Sequence, residues 1–258
     1  MTARTDAHVS INSDMGEGYG VYSVVDDESL LTLVSDVNVA CGFHAGDPSI
    51  MRRTCERAVA LGHSIGAHFG FFDLRGFGRR RMDQPPRELR DDIVYQIGAL
   101  QSVARAAGGR MSYVKTHGAL YHCALEREDY LQAILDAIEQ AAPGAALLCQ
   151  PGVIMAERAA ERGITVWREG FVDRTYLGNG LLTPRSRPDA MVAGPEQAAR
   201  QAVRIATTGT VQTVDGTVIP MPVDSLCIHS DSTGALEFAS AVRTALAGAG
   251  VGVQSLTA

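Results

Sequence analysis

No run of about 18 apolar residues, the length a membrane-spanning helix needs, occurs anywhere in this sequence. The N-terminal MTARTDAHVS has no apolar core of a secretion signal. These two absences lead us to expect a soluble, cytoplasmic protein. Cysteine is sparse: Cys41, Cys55, Cys123, Cys149 and Cys227 are scattered, with no CxxC pair. An odd count without metal-type spacing fits reduced thiols rather than a disulfide framework or a zinc ribbon. Cys41, Cys149 and Cys227 lie in or beside apolar runs, where a thiol serves as a small buried hydrophobe more readily than as a nucleophile. Basic stripes are missing too. The net charge is -6 and the one compact cationic run is Arg79–Arg81, which argues against nucleic acid as a partner. There is no GxxxxGK[ST] phosphate loop, no GxGxxG after a strand, and no HExxH or HxH. Nor is there a low-complexity tract or a Pro/Ser-rich linker, so a single domain over 1–258 is expected, with 1–8 as a loose tail.

What is present is a repeated grammar of strand, polar corner and helix. The 258 residues are 46% hydrophobic, enough for one sizeable core. The clearest unit is VNVACGFHAGD, Val37–Asp47. Its apolar start reads as a buried strand, Gly42 and Gly46 allow a sharp turn, and Asp47 with Pro48 opens a helix that stops at Gly62. A first strand is expected over Val9–Ser13, followed by a short helix capped by Asp26 or Asp27. Further strands are expected within SIGAHFGFFD, MSYVKTHGALYH, AALLCQPG, ITVWREGFVDR and DSLCIHSDSTGA. Helices are expected over Pro86–Ala107, Glu128–Ala141, Pro195–Thr207 and Ala235–Gly248. VQTVDGTVIPMP reads as a hairpin turning at Asp-Gly, and TYLGNGLLTPRSRPDA as a long, functional type of loop. Seven short strands alternating with helices argue a parallel α/β sheet closed as a barrel, with the working side chains at the strands' C-terminal ends.

The polar residues lie where that rule puts them. Asp14 and Glu17, His44 and Asp47, His68, Lys115 and His117, Glu169 and Asp173, and His229 and Asp231 follow six of the seven strands. Asp73 follows His68 by a few residues. Four histidines with several carboxylates can hold zinc or another first-row ion, with Asp14 or Asp231 as an oxygen ligand, or can supply metal-free general acids and bases. Lys115 sits two residues before His117, on the same face of its strand. It either holds an anion or pairs with Glu169 or Asp47. Arg174 and Arg79–Arg81 are candidates to grip a carboxylate or phosphate, with a solvated surface as the plainer role for Arg80 and Arg81.

NSDMGEGYG, NVACGFHAGDP, GAHFGFFDLRGFGRR, VKTHGALYH, EGFVDRTY and DSLCIHSD resemble, in order, the motifs of the LamB/YcsF family, also called the A-subunit family of 5-oxoprolinase. The resemblance runs from about Ile11 to about Ala235. It implies a distorted seven-stranded (β/α) TIM-like barrel of the glycoside hydrolase/deacetylase kind. It also implies ATP-dependent opening of the 5-oxoproline lactam to glutamate, with the B and C subunits of 5-oxoprolinase as partners that complete the ATP site. Carried over by motif position, Asp14, Glu17, His44, His68, Lys115 and His117 are the expected catalytic residues. Asp47, Asp73, Glu169, Asp173, Arg174, His229 and Asp231 are expected to bind substrate, Arg174 through a carboxylate. The expected base is Asp14 or Glu17, with the histidines shuttling protons and Lys115 neutralising charge. A bound metal stays open at this point, as do a stand-alone metal-dependent amide hydrolase or deacetylase and a non-catalytic small-acid-binding subunit. Ser13, Phe69, Phe72, Thr116, His122 and Ser230 depart from the usual motifs. They are expected to line the barrel mouth and so to bear on which lactam or amide fits.

Overall fold

The computed structural model describes residues 7–24, 26–231 and 234–258. Of the tail expected over 1–8, residues 1–6 lie outside the described residues, and His8 already begins the first strand. In chain order the strands are β1 (His8–Met15), β2 (Asp36–Ala40), β3 (Ser64–Phe69), β4 (Met111–Thr116), β5 (Ala146–Cys149), β6 (Val166–Phe171), β7 (Thr210–Gln212), β8 (Val218–Pro220), β9 (Ser225–Ile228) and β10 (Gly252–Val253). The helices are α1 (Asp27–Leu31), α2 (Pro48–Leu61), α3 (Pro86–Ala106), α4 (Gly118–Glu126), α5 (Glu128–Ala141), α6 (Ile154–Glu161), α7 (Pro195–Thr208) and α8 (Ala235–Gly248).

Strands β1 to β6 and β9 form a closed parallel barrel in that order, β1 pairing with both β2 and β9. The expected seven-stranded α/β barrel is therefore the fold. The distortion has two local sources. The antiparallel β7–β8 hairpin is inserted before the last barrel strand, and the β3–β4 register shifts between Ile65 and Gly66. No helix among the described residues is long and apolar enough to cross a membrane.

The helices bury one face each around the barrel. In α3 that face is Leu89, Ile93, Ile97, Leu100 and Ala104, at helical spacing. Asp47 caps α2 by accepting the Ser49 and Ile50 N–H groups, and Gly62 ends it at φ 73°. Asp26 rather than Asp27 caps α1, while Asp27 accepts the Gly16 N–H at 3.0 Å. Helices α4 and α6 were not expected. The GALYH stretch reads as an extension of its strand until Gly118, at φ +56°, turns the chain.

Inside the barrel runs a polar column rather than a purely aliphatic core. Ser10 bonds Ser225, and Asn12 Nδ2 donates to Ser225 Oγ at 2.8 Å. Asn38 Nδ2 donates to Asn12 Oδ1 at 2.7 Å and to Asp14 Oδ1 at 2.9 Å, and the Tyr113 hydroxyl donates to Asn38 Oδ1 at 2.7 Å. Tyr113 fits because Gly66 leaves room on the neighbouring strand: a Cβ there would lie 2.1 Å from the ring. We predict that Gly66→Ala overpacks the barrel and costs about 1–3 kcal/mol. Thermal unfolding checks this, and an unchanged melting temperature would show that the ring gives way freely.

Candidate functional site

The column ends at the C-terminal rim in a buried charge cluster. Lys115 enters from β4, Asp14 from β1 and Glu169 from β6. Lys115 Nζ lies 2.7 Å from Glu169 Oε1 and 3.2 Å from Asp14 Oδ1. It also reaches Asn12 Oδ1 and Cys227 Sγ, each at 3.3 Å. Burial alone would lower the Lys115 pKa. Asp14, Cys227 and Glu169 outweigh burial and hold it well above its ordinary value, so the ammonium stays charged. Burial likewise raises Asp14, but His68 and Lys115 override it and hold that carboxylate well below its usual range.

Beside this cluster stand three imidazoles and a second carboxyl. His44 Nε2 lies 3.2 Å from Glu17 Oε1, His117 Nδ1 lies 3.0 Å from His68 Nε2, and His68 Nε2 lies 3.3 Å from Asp14 Oδ1. The His44 and His117 rings stack at 3.7 Å. Burial first, then neighbouring histidine charge, holds His44 and His117 well below the ordinary histidine value, so both are neutral. Glu17 is pushed up to about 8, chiefly by burial and then by Asp14. Ser230 Oγ donates to its Oε2 at 3.2 Å.

The tautomers follow from the partners. His68 Nδ1 faces the Lys115 carbonyl at 3.3 Å, and His117 Nε2 faces the Phe77 carbonyl at 2.8 Å. Carbonyl oxygens only accept, so those two nitrogens carry protons. That leaves His117 Nδ1 as an acceptor 3.0 Å from His68 Nε2, which also lies 3.3 Å from Asp14 Oδ1. A shared proton or a metal ion can bridge the two nitrogens. Glu17, His44, His68 and His117 each offer one ligand atom, all within 4.8 Å of one another. Three imidazoles and a carboxylate suit zinc or another first-row divalent ion, and backbone carbonyls orient two of the rings as metal-ligand histidines require. The residues present fit a divalent ion.

Above the floor opens a cavity of about 580 Å³, lined there by Asp14, His68, Lys115, His117, Glu169 and His229. The structure therefore brings together most of the side chains expected to meet. Glu17 and His44 lie beneath the floor, because Gly16 at φ 69° turns the chain inward after β1 and the His117 ring covers His44. Asp173 accepts from the His229 backbone N–H at 3.2 Å and lies 2.9 Å from its Nδ1, orienting the ring.

Other candidates serve different ends. Asp47 caps α2 and also accepts the Gly20 N–H. Asp73 caps the turn Leu74–Gly76 and clamps Arg80. Asp231 pairs with Arg79 at 2.5 Å. Lys115 pairs with Glu169, not with Asp47. Arg174 lines the cavity, but its guanidinium donates to the Thr183 and Ala190 carbonyls at 2.6 and 3.2 Å. Those two bonds brace the loop. Among the departures, Thr116 and His122 line the cavity, whereas Phe69 is fully buried in the core and Phe72 packs outside on Phe43 at 4.8 Å. Ser13 donates to the Ile228 carbonyl at 2.6 Å. Asn12, Asn38 and Arg185 were not anticipated. A signal for the first two existed: Ser10, Asn12 and Asp14 alternate along one strand, as Asp36 and Asn38 do along the next, and period two puts them on one face.

Comparison with known proteins agrees with the motif reading. Residues 9–258 match the model of the LamB/YcsF family. The chain is 49% identical over 247 residues to the A subunit of a 5-oxoprolinase from Nocardia farcinica, covering 96% of this chain and 98% of that one. It is 46% identical over 243 residues to the corresponding 5-oxoprolinase protein from Brevibacillus brevis, covering 94% and 96%. Its structure superposes on a lactam utilization protein from Thermus thermophilus with a TM-score of 0.92 at 42% identity, covering 96% of this chain and 100% of that one. A T48 deacetylase, at a TM-score of 0.50 and 14% identity over 100% of this chain and 92% of that one, shares the fold alone. With a family match over nearly its full length, and relatives close to half identical, this chain belongs to the LamB/YcsF family.

Proposed function

We propose that this chain is the hydrolytic subunit of a 5-oxoprolinase, opening the lactam of 5-oxoproline to glutamate with ATP and with the B and C subunits as partners. The observation that carries the proposal is the convergence of Asp14, His68, Lys115, His117 and Glu169 on the floor of one cavity. The names of the relatives supply the substrate. In this proposal the whole chain, 1–258, works as one barrel domain in the cytoplasm.

A lactam is a poor electrophile. Transfer of the γ-phosphoryl of ATP to its oxygen gives an imidate phosphate and ADP. Water then adds to the same carbon, the C–N bond breaks as the nitrogen takes a proton, and a second water releases phosphate from the acyl phosphate left behind. The chain's residues divide this work by charge state. Asp14 is too acidic to take a proton from water, and Glu17 keeps its own up to about 8. The base is therefore better sought in the His68–His117 pair, whose imidazolium form Asp14 stabilises from 3.3 Å. Glu17, 3.7 Å from His117 Nδ1, holds a proton in reserve for the leaving nitrogen. Two carboxyls with pKa values pushed apart are a common acid–base arrangement. Lys115 stays cationic and offsets charge developing on the oxygen. Glu169 holds Lys115, and His229 on Asp173 closes the cavity wall.

One observation favours a second reading, a metal-dependent amide hydrolase. It is the gathering of one ligand atom each from Glu17, His44, His68 and His117 within 4.8 Å of one another. Such an ion would supply Lewis acidity at the cavity floor.

Two outcomes test these readings. His117→Asn in the assembled three-subunit complex is expected to cut turnover about 10²–10⁴-fold with its melting temperature kept; full turnover would remove His117 from the mechanism. Elemental analysis of the purified chain is expected to find about one first-row divalent ion per chain if the second reading holds. A chelator should then abolish activity, whereas metal-free protein with full turnover in the complex would leave the ATP-dependent reading alone standing.

A further inference from the structure

The cavity has an uneven distribution of charge. Its floor carries the carboxylates of Asp14 and Glu169, and its rim carries guanidinium groups from Arg79, Arg81, Arg174 and Arg185. Three of the four are engaged. Arg79 pairs with Asp231 at 2.5 Å, Arg81 makes two bonds of 2.6 Å to Glu126, and Arg174 donates to the Thr183 and Ala190 carbonyls through Nη2 and Nε. Among the described residues, the Arg185 guanidinium has no hydrogen bond and no ion pair.

The Arg185 side chain is exposed, but the loop that carries it is braced. It sits on the loop between Arg174 and Met191, which pair with each other as an isolated bridge, and inside the loop Tyr176 bridges Leu182. The Thr183 N–H donates to the Thr175 carbonyl at 3.0 Å, and Arg174 grips the carbonyls on either side of Arg185. A cation with no protein partner, on a braced loop over a cavity, is available to an anionic ligand. The electrostatics agree. Burial, followed by the charge of Arg185, lowers Arg174 to about 10, and burial followed by Arg79 lowers Arg185. These cations repel one another, and an anion among them relieves the repulsion. Thr116 adds a second hint of a ligand. It lines the same cavity, and its Oγ1 is buried without a hydrogen-bond partner.

We propose that Arg185 captures the anionic end of the ligand, a carboxylate or a phosphoryl group, and so points the ligand's amide at the Asp14–Lys115 floor. In its carboxylate form this rests on the lactam-hydrolase proposal and makes the substrate class a cyclic amide that bears an acid. Arg174, the obvious candidate from sequence, positions the loop. Arg185 makes the contact.

Titration calorimetry on the full chain tests this with three probes: 5-oxoproline, 2-pyrrolidinone (the same ring without the acid) and inorganic phosphate. Arg185→Ala is expected to weaken 5-oxoproline about 10- to 100-fold while leaving 2-pyrrolidinone and the melting temperature unchanged. Arg185→Lys should recover part of the loss, since an ammonium keeps the charge without the two-pronged fork. A loss confined to phosphate would assign the site to a phosphoryl group. Unchanged binding of both anions, equal loss of 2-pyrrolidinone and 5-oxoproline, or wild-type protein that binds neither anion would each overturn the proposal. Arg185-dependent binding of 5-oxoproline without turnover in the assembled complex would keep the subsite and retire the hydrolase reading.

Discussion

Everything at the rim depends on one buried ammonium. Lys115 rises from β4 between a carboxylate on β1 and another on β6, at 3.2 and 2.7 Å, so three strands meet through a single charge. An ion buried to this degree is costly to desolvate and stays only where partners surround it. Asp14, Glu169, Asn12 and Cys227 do that here. Removing one partner from such a cluster typically costs about 3–5 kcal/mol, because the others are left uncompensated. The cluster also sets the protonation of its neighbours. Lys115 and His68 hold Asp14 ionised, and ionised Asp14 helps keep the proton on Glu17.

The imidazoles express the same constraint differently. Carbonyl partners fix which nitrogen of His68 and of His117 carries hydrogen, and the packing leaves their other nitrogens face to face. The site thus offers a position for a proton or a cation between the rings, with Glu17 and His44 just behind. A proton there makes the pair an acid–base relay, and a metal ion there makes it a Lewis-acid centre. Both are hydrolytic machinery, and both put the reacting carbon at the same floor. At the rim the excess is of the opposite kind: guanidinium groups outnumber their carboxylate partners. A ligand with an anionic end and a neutral amide end suits that gradient.

How much of this the sequence disclosed varies residue by residue. The VNVACGFHAGDP stretch announced its strand, its turn and its capped helix, because apolar run, Gly, Asp and Pro each act locally. Convergence of His68, Lys115 and His117 was legible from strand-end position alone. Helix α4 was not, since GALYH reads on as strand and the turn rests on Gly118 alone. Asp47, Asp73 and Asp231 sit at the same strand ends as the working residues, and only coordinates show that they are occupied with backbone N–H groups or arginines. Arg174 and Arg185 were indistinguishable as charges. Which one is free is decided by two carbonyls of a loop whose path no periodicity encodes. Asn12 and Asn38 were visible as polar positions at period two, but read as strand residues they lacked meaning until the barrel closed and placed them inside.

The protonation state of Lys115 tests this account most directly. Titrating its side-chain nitrogen by heteronuclear NMR in selectively labelled protein should show the ammonium intact past the ordinary lysine pKa of 10.5. A Lys115 nitrogen that loses its proton below that value, with the fold retained, would contradict the charge cluster on which the site's chemistry has been built.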